Sequence, residues 1–152
     1  MNKTLQWSVK KLEEIEALQL YELLKLRADV FVIEQDCIYP DMDDKDQRAL
    51  HVIGTLDGRV AAYSRIFDAG DYVAEASFGR VVIHQEFRGY QFGHELVRQS
   101  VSAIEDAFGK QPIKISAQEH LTSFYQAHGF EPKGAGYLED GIPHIGMLRL
   151  SD

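Results

Sequence analysis

The segment that most restricts how this chain can fold is Gly79-Arg80-Val81-Val82-Ile83-His84-Gln85-Glu86-Phe87-Arg88-Gly89-Tyr90-Gln91-Phe92-Gly93-His94-Glu95-Leu96. It opens with a β-branched run that suits a buried strand. A loop carrying Arg88 and Gly89 follows. Apolar residues then recur at Phe92, Leu96, Val97, Val101, Ile104 and Phe108, a helical spacing rather than an alternating one. Strand, glycine-bearing turn and helix N-terminus in succession make a receptor for an anionic phosphate. The first N–H groups of a helix have no partner inside it, and the helix dipole favours negative charge there. Arg88 adds a cation on the same loop. Two commoner phosphate loops are excluded: no Lys-Ser or Lys-Thr follows Gly93, and the glycines at 89 and 93 do not make G-x-G-x-x-G. A strand–turn–helix with two glycines is also ordinary construction, so the segment alone leaves phosphate binding open.

At 152 residues the chain is expected to form one domain, 1–152, large enough for a real core. A formal charge of −8 argues against a nucleic-acid surface and suits attraction of a cationic small molecule. The single cysteine, Cys37, excludes an internal disulfide and a Cys-based zinc cluster, so no metal is expected. No apolar run has membrane-spanning length, and Met1-Asn2-Lys3-Thr4-Leu5 lacks the apolar core of a signal peptide. The expected location is cytoplasmic, without a membrane partner.

Along the chain, Leu5, Trp7 and Val9 alternate as in a short strand. From about Glu13 the pattern turns helical, with Leu20, Leu24, Arg27 and Phe31 on one face. Arg27 on so apolar a face needs a carboxylate, and Glu34 is the nearest on that side. The acidic segment 34–46 reads as a loop, either solvated or forming the rim of a site that receives an amine. A hairpin follows: His51 to Leu56, the turn Asp57-Gly58, then Val60 to Phe67. After the Gly79–Ile83 strand and its helix, which closes at Gly109, Ile113 to Ser116 is a strand and Gln118 to Ala127 a shorter helix. A second hairpin, Tyr137 to Leu150, turns at Asp140-Gly141. This order predicts an α+β fold, a mixed and mostly antiparallel sheet flanked by helices, with a parallel crossover around the central helix.

The loop pattern R-G-x-x-x-G resembles the coenzyme A pyrophosphate loop of the GNAT acyltransferases, with Gln91 where that pattern has its middle glycine. A second segment, Phe124-Tyr125-Gln126-Ala127-His128-Gly129-Phe130, is similar to the F-Y-x-x-x-G-F motif of the same superfamily. Further segments, 30–37, 117–121 and 139–147, resemble its ElaA-type branch, which also lacks the middle glycine. The resemblance implies the GNAT fold and an N-acetyltransferase that uses acetyl-CoA and an amine acceptor. It implies that Val81, Val82 and Ile83 pair with the pantetheine arm, and that Arg88, Gly89, Tyr90, Gln91, Phe92 and Gly93 hold the pyrophosphate. Gln118 falls where many relatives have a pantetheine-binding Asn. Tyr125 matches the tyrosine that hydrogen-bonds the sulfur and protonates the leaving thiolate.

Each assignment has a plainer counterpart. Tyr125 beside Phe124 also suits a core position. Glu34 is a candidate base, or simply the ion partner of Arg27. His144, of the side-chain type suited to proton transfer at neutral pH, is the first candidate base, yet on a hairpin strand it could merely pack. In the family's arrangement the 34–46 loop and Glu139-Asp140 border the mouth where acceptors enter, and their charge should favour protonated amines. An alternative to catalysis is a module on the same fold that senses coenzyme A or binds a partner. Exposed strand edges also leave a homodimer open.

Overall fold

A computed structural model describes residues 3–151. Two antiparallel sheets form the frame. The first has the order β1 (Gln6–Lys11), β2 (Leu50–Leu56), β3 (Arg59–Phe67), β4 (Ser77–Ile83). The second has the order β5 (Ile113–Gln118), β7 (Ile142–Arg149), β6 (Glu131–Glu139). Between the sheets, β4 and β5 meet only through a parallel bridge from Ala76 to Ile113, where the Lys114 N–H donates to the Ala76 carbonyl at 2.9 Å. The expected parallel crossover is thus present but splayed. Beyond that bridge the edges of β4 and β5 have no ladder partner in each other, and a wedge opens between them.

Helix α2 (Phe92–Phe108) is the crossover. Its apolar stripe packs Leu96, Val97, Val101 and Ile104 on Val52, Ala62 and Ile66 of the first sheet and Ile113 and Ile115 of the second. Burying four such side chains contributes on the order of 6–12 kcal/mol before the opposing entropy. The other face of the first sheet is covered by α1 (Ala17–Arg27), whose Leu23 and Leu26 meet Ile53, Tyr63 and Val82. Because β3 lies between two helical layers, eight of its nine residues are buried.

Three expectations need correction. The helix from Glu13 is not continuous: α1 starts at Ala17, and after Arg27 the chain widens into a π-helical segment, Ala28–Glu34. Arg27 does not pair with Glu34. A separation of seven helical residues is about 10 Å along the axis, too far for contact. The buried guanidinium instead meets Asp41 (Nε–Oδ2 2.9 Å) and Asp46 (Nη1–Oδ1 2.8 Å). Similarly, Gln118 ends β5, and the following helix is short, with a 3-10 turn Glu119–Leu121 leading into α3 (Thr122–Gln126).

Candidate functional site

The wedge between β4 and β5 holds a cavity of about 160 Å³. Gly79, Arg80 and Val81 line it from β4, Ile115 to Gln118 from β5, Tyr125 from α3, and His144 from β7. Strand alternation explains how both Tyr125 and His144 reach it. Ile115 and Ala117 point into the core that contains Tyr125. The register sets Gln118 opposite His144, and His144 opposite Tyr137, so these three leave the alternate face. One cavity is therefore lined from both faces of the second sheet.

Tyr125 is 6% exposed and packs on Phe78 and Phe130, with its ring edge against Phe124. Its hydroxyl bonds to no described residue, yet it is not among the sealed polar atoms; it opens onto the cavity. Burial pushes the phenol above its ordinary value, so it keeps its proton. Gln118 Nε2 donates to Gln35 Oε1 at 3.3 Å. His144 Nδ1 lies 2.7 Å from the Ile142 carbonyl. A carbonyl can only accept, so Nδ1 carries the hydrogen and Nε2 presents a lone pair in the neutral ring.

A second cavity of about 240 Å³ lies at the start of α2, lined by Ile83, Arg88, Gly89, Gln91, Phe92, Gly93, His94 and Phe124. Gly89 has φ +91°, with no heavy atom near its missing side chain. Gln91, at the position of the family's middle glycine, has φ +66°. The loop keeps the left-handed turn that glycine favours and imposes it on a larger residue. The first N–H bonded within α2 is that of Glu95, to the Gln91 carbonyl at 3.5 Å. This leaves the first-turn N–H groups to face the loop.

Arg88 is fully engaged. Its Nε donates to the Ile83 carbonyl at 3.1 Å, and its two terminal nitrogens grip Glu34 at 2.7 and 2.9 Å. Gln85 adds a third donor to Glu34 at 2.7 Å. The bonds from Arg88 and then Gln85 hold the Glu34 carboxyl at about 2, far below a useful base near neutrality. Of the residues singled out by sequence, Tyr125, His144, Gln118 and Val81 line the wedge, and Ile83, Arg88, Gly89, Gln91, Phe92 and Gly93 line the second cavity. Three line neither. Val82 turns into the α1 core, Tyr90 stands half-exposed beside Lys3, and Glu34 is tied to the loop through Arg88.

The acidic segment is solvated only in part, at Glu34, Asp36 and Asp44, and its Gln35, Cys37 and Tyr39 line the wedge. Asp41, Asp43 and Asp46 are drawn inward by three arginines. Arg65 Nη2 meets Asp43 at 2.6 Å, Arg65 Nη1 meets Asp46 at 3.0 Å, and Arg80 Nε meets Asp41 at 2.7 Å. Burial alone would raise the Asp46 carboxyl, but Arg27 and Arg65 outweigh it and hold it low. A bulge serves this network: Arg80 and Val81 together oppose Ser64, and Arg80 takes φ +50°. The overlooked signal was Arg65 within an otherwise apolar strand. A buried guanidinium requires carboxylates, and Asp43 and Asp46 of the 34–46 segment supply them.

The profile of the acetyltransferase (GNAT) domain matches residues 16–150. The chain belongs to the GNAT acetyltransferase family. The protein ElaA of Escherichia coli is 37% identical over 147 residues, covering 95% of this chain and 96% of that one. A crystal structure of an acyl-CoA N-acyltransferase from Pseudomonas aeruginosa superposes with a TM-score of 0.89 at 37% identity, covering 96% of this chain and 99% of the other. The crystal structure of Escherichia coli ElaA gives 0.89 at 36% identity with the same coverage. GNAT membership makes this chain an N-acetyltransferase of a family that uses acyl-CoA. The acyl-homoserine lactone synthase LasI, at 15% identity and a TM-score of 0.76, shares the fold alone.

Proposed function

We propose that this chain is an acetyl-CoA-dependent N-acetyltransferase that moves the acetyl group directly to an amine of a small molecule or peptide, in the cytoplasm. The observation that carries the reading is the two-sided wedge, with Tyr125 reaching it from one face of the second sheet and His144 from the other. A thioester lying in the wedge would have its sulfur on the Tyr125 side and its carbonyl open to an amine from the His144 side. No covalent enzyme intermediate is needed, and the lone cysteine has no role in the step.

The residues present fit the cosubstrate. The free N–H groups at the start of α2 and the Gly89 turn suit the pyrophosphate, with Arg88 available once it leaves Glu34. The unpaired edge of β4 at Val81 to Ile83, and the Gln118 amide, offer hydrogen bonds to the amides of the pantetheine arm. Tyr125 would donate a hydrogen bond to the sulfur as it gains charge, then yield its proton. Reference values, about 10 for a phenol and about 8.5 for a thiol, oppose that transfer. Burial penalises the thiolate as it does the phenolate, so the difference stays at about 1.5 units and the transfer is uphill by about 2 kcal/mol, a cost that a catalytic step can carry. His144 Nε2 would take the proton of the incoming amine.

The test is a thiol-release assay with acetyl-CoA against a panel of amines, with the acetylated products weighed by mass spectrometry. Free thiol and N-acetyl product in equal amounts support the reading. Tight coenzyme A binding without thiol release for any amine would replace it with a non-catalytic coenzyme A-binding role.

A further inference from the structure

Four polar side chains meet at the open end of the wedge: Ser116 of β5, Tyr137 and Glu139 of β6, and His144 of β7. Ser116 Oγ is hydrogen-bonded to the Tyr137 hydroxyl and lies 3.4 Å from Glu139 Oε1. The other oxygen, Oε2, lies 3.4 Å from His144 Nε2. The Tyr137 ring stacks on the imidazole, with centroids 6.3 Å apart and planes 23° from parallel. Since Nδ1 of His144 is committed to the Ile142 carbonyl, Nε2 meets the Glu139 carboxylate as acceptor against acceptor. Two acceptors in that position repel unless a proton sits on Nε2 or one donor serves both. Ser116 cannot serve Nε2, being tied to Tyr137 and Glu139. The cations lining the same cavity, Arg65 and Arg80, are taken by Asp41, Asp43 and Asp46.

We infer that Glu139 and Nε2 of His144 form the receptor for the acceptor's ammonium group, so that the amine binds protonated and is deprotonated in place. The inference rests on the acetyltransferase reading of this cavity and specifies the substrate's charge state. One N–H bond of the ammonium breaks, its electron pair stays on nitrogen as the nucleophile, and the proton forms a bond to Nε2. The resulting imidazolium then faces Glu139 and the Tyr137 ring, both of which stabilise a cation. Acetylation releases a second proton from nitrogen, which replaces the one that Tyr125 gives to the departing thiolate, and the imidazolium returns its proton to water. Ser116 fixes the Glu139 carboxylate. With Glu139 half-exposed, an ammonium reaches it from solvent.

The same geometry sets the substrate class. A carboxylate on the carbon that bears the amine would be brought against Glu139. The receptor therefore suits primary alkylamines, diamines and lysine side chains, and it disfavours free α-amino acids.

The test uses the full chain saturated with coenzyme A, which carries no acetyl group, so binding is read without turnover. n-Butylamine, 1-butanol and norvaline are titrated at neutral pH, with the His144 ring signals followed by NMR and assigned by their loss in His144→Gln. Butylammonium is expected to perturb those signals, to bind about tenfold more weakly to Glu139→Gln, and to weaken with salt. Glu119→Gln is the charge-matched control, since the Glu119 carboxylate lies beside Gly136 on the same strand, and its affinity should hold. Equal affinity in wild type and Glu139→Gln overturns the inference, as does binding of butanol or norvaline as tight as that of butylammonium. Ammonium binding lost in Glu139→Gln, without thiol release from acetyl-CoA, keeps the receptor and removes the acetyltransferase reading. Thiol release with an unaltered Glu139→Gln does the reverse.

Discussion

If Arg88 is to meet the pyrophosphate, it must first leave Glu34, so Glu34→Gln should tighten coenzyme A binding. The pair is bidentate, at 2.7 and 2.9 Å, but its side chains are 41% and 35% exposed. Two unit charges about 4 Å apart attract by roughly 1 kcal/mol in water and roughly 4 at the effective dielectric of a protein surface. Side-chain ordering and solvent screening bring a pair this exposed toward the lower figure, about 1 kcal/mol, or about fivefold in affinity. Calorimetry with coenzyme A at low salt would measure it, and the gain should shrink as salt rises. Glu86→Gln removes the same charge from a neighbouring acid that pairs with Arg59 rather than Arg88, and it should leave affinity nearly unchanged. Unaltered binding in Glu34→Gln would mean that Arg88 never leaves Glu34. Weaker binding would mean that Glu34 positions Arg88 for the phosphate, and either result refutes the displacement argument.

Other perturbations test the frame around the site. Glu34 titrates at about 2 when folded, below its reference of 4.5, so its contribution is present above about pH 4.5 and fades as pH falls through 2. The stability difference between wild type and Glu34→Gln, followed by denaturant melts across that range, should therefore be under about 1 kcal/mol and vanish in strong acid. Asp46→Asn leaves Arg27 and Arg65 buried with one carboxylate fewer, and denaturant unfolding should report a loss of about 3–5 kcal/mol; a loss under about 1 kcal/mol would show the network to be dispensable. Gln91→Gly relieves a left-handed backbone and should stabilise by about 1 kcal/mol with coenzyme A affinity retained, whereas a destabilised variant would contradict the turn geometry.

The elements were legible wherever period and punctuation agreed. The apolar stripe of α2, its stop at Gly109, and the Asp57-Gly58 and Asp140-Gly141 hairpins all lie where local rules place them. The splay of β4 from β5 was not readable from periodicity, because it is a relation between sheets. The ion network was missed for a similar reason. A helix face shows that Arg27 needs a carboxylate, but which carboxylate depends on how the loop folds beneath it. Sequence proximity favoured Glu34, while burial selected Asp41 and Asp46. Glu34 in turn was claimed by Arg88, 54 residues away. At the site, Tyr125 and His144 stood out through motif and titration chemistry, whereas the Ser116 and Tyr137 contacts depend on strand register that no local signal encodes.

The central claim is that the wedge holds the thioester with its sulfur against Tyr125, and Tyr125→Phe tests it most directly. The ring and its packing remain, and only the hydroxyl that opens onto the cavity is lost. Acetyl-CoA affinity by calorimetry should stay within about twofold, while turnover of an active amine should fall by about two to four decades. Normal turnover in that variant, with binding intact, would contradict the account and leave Tyr125 a core residue.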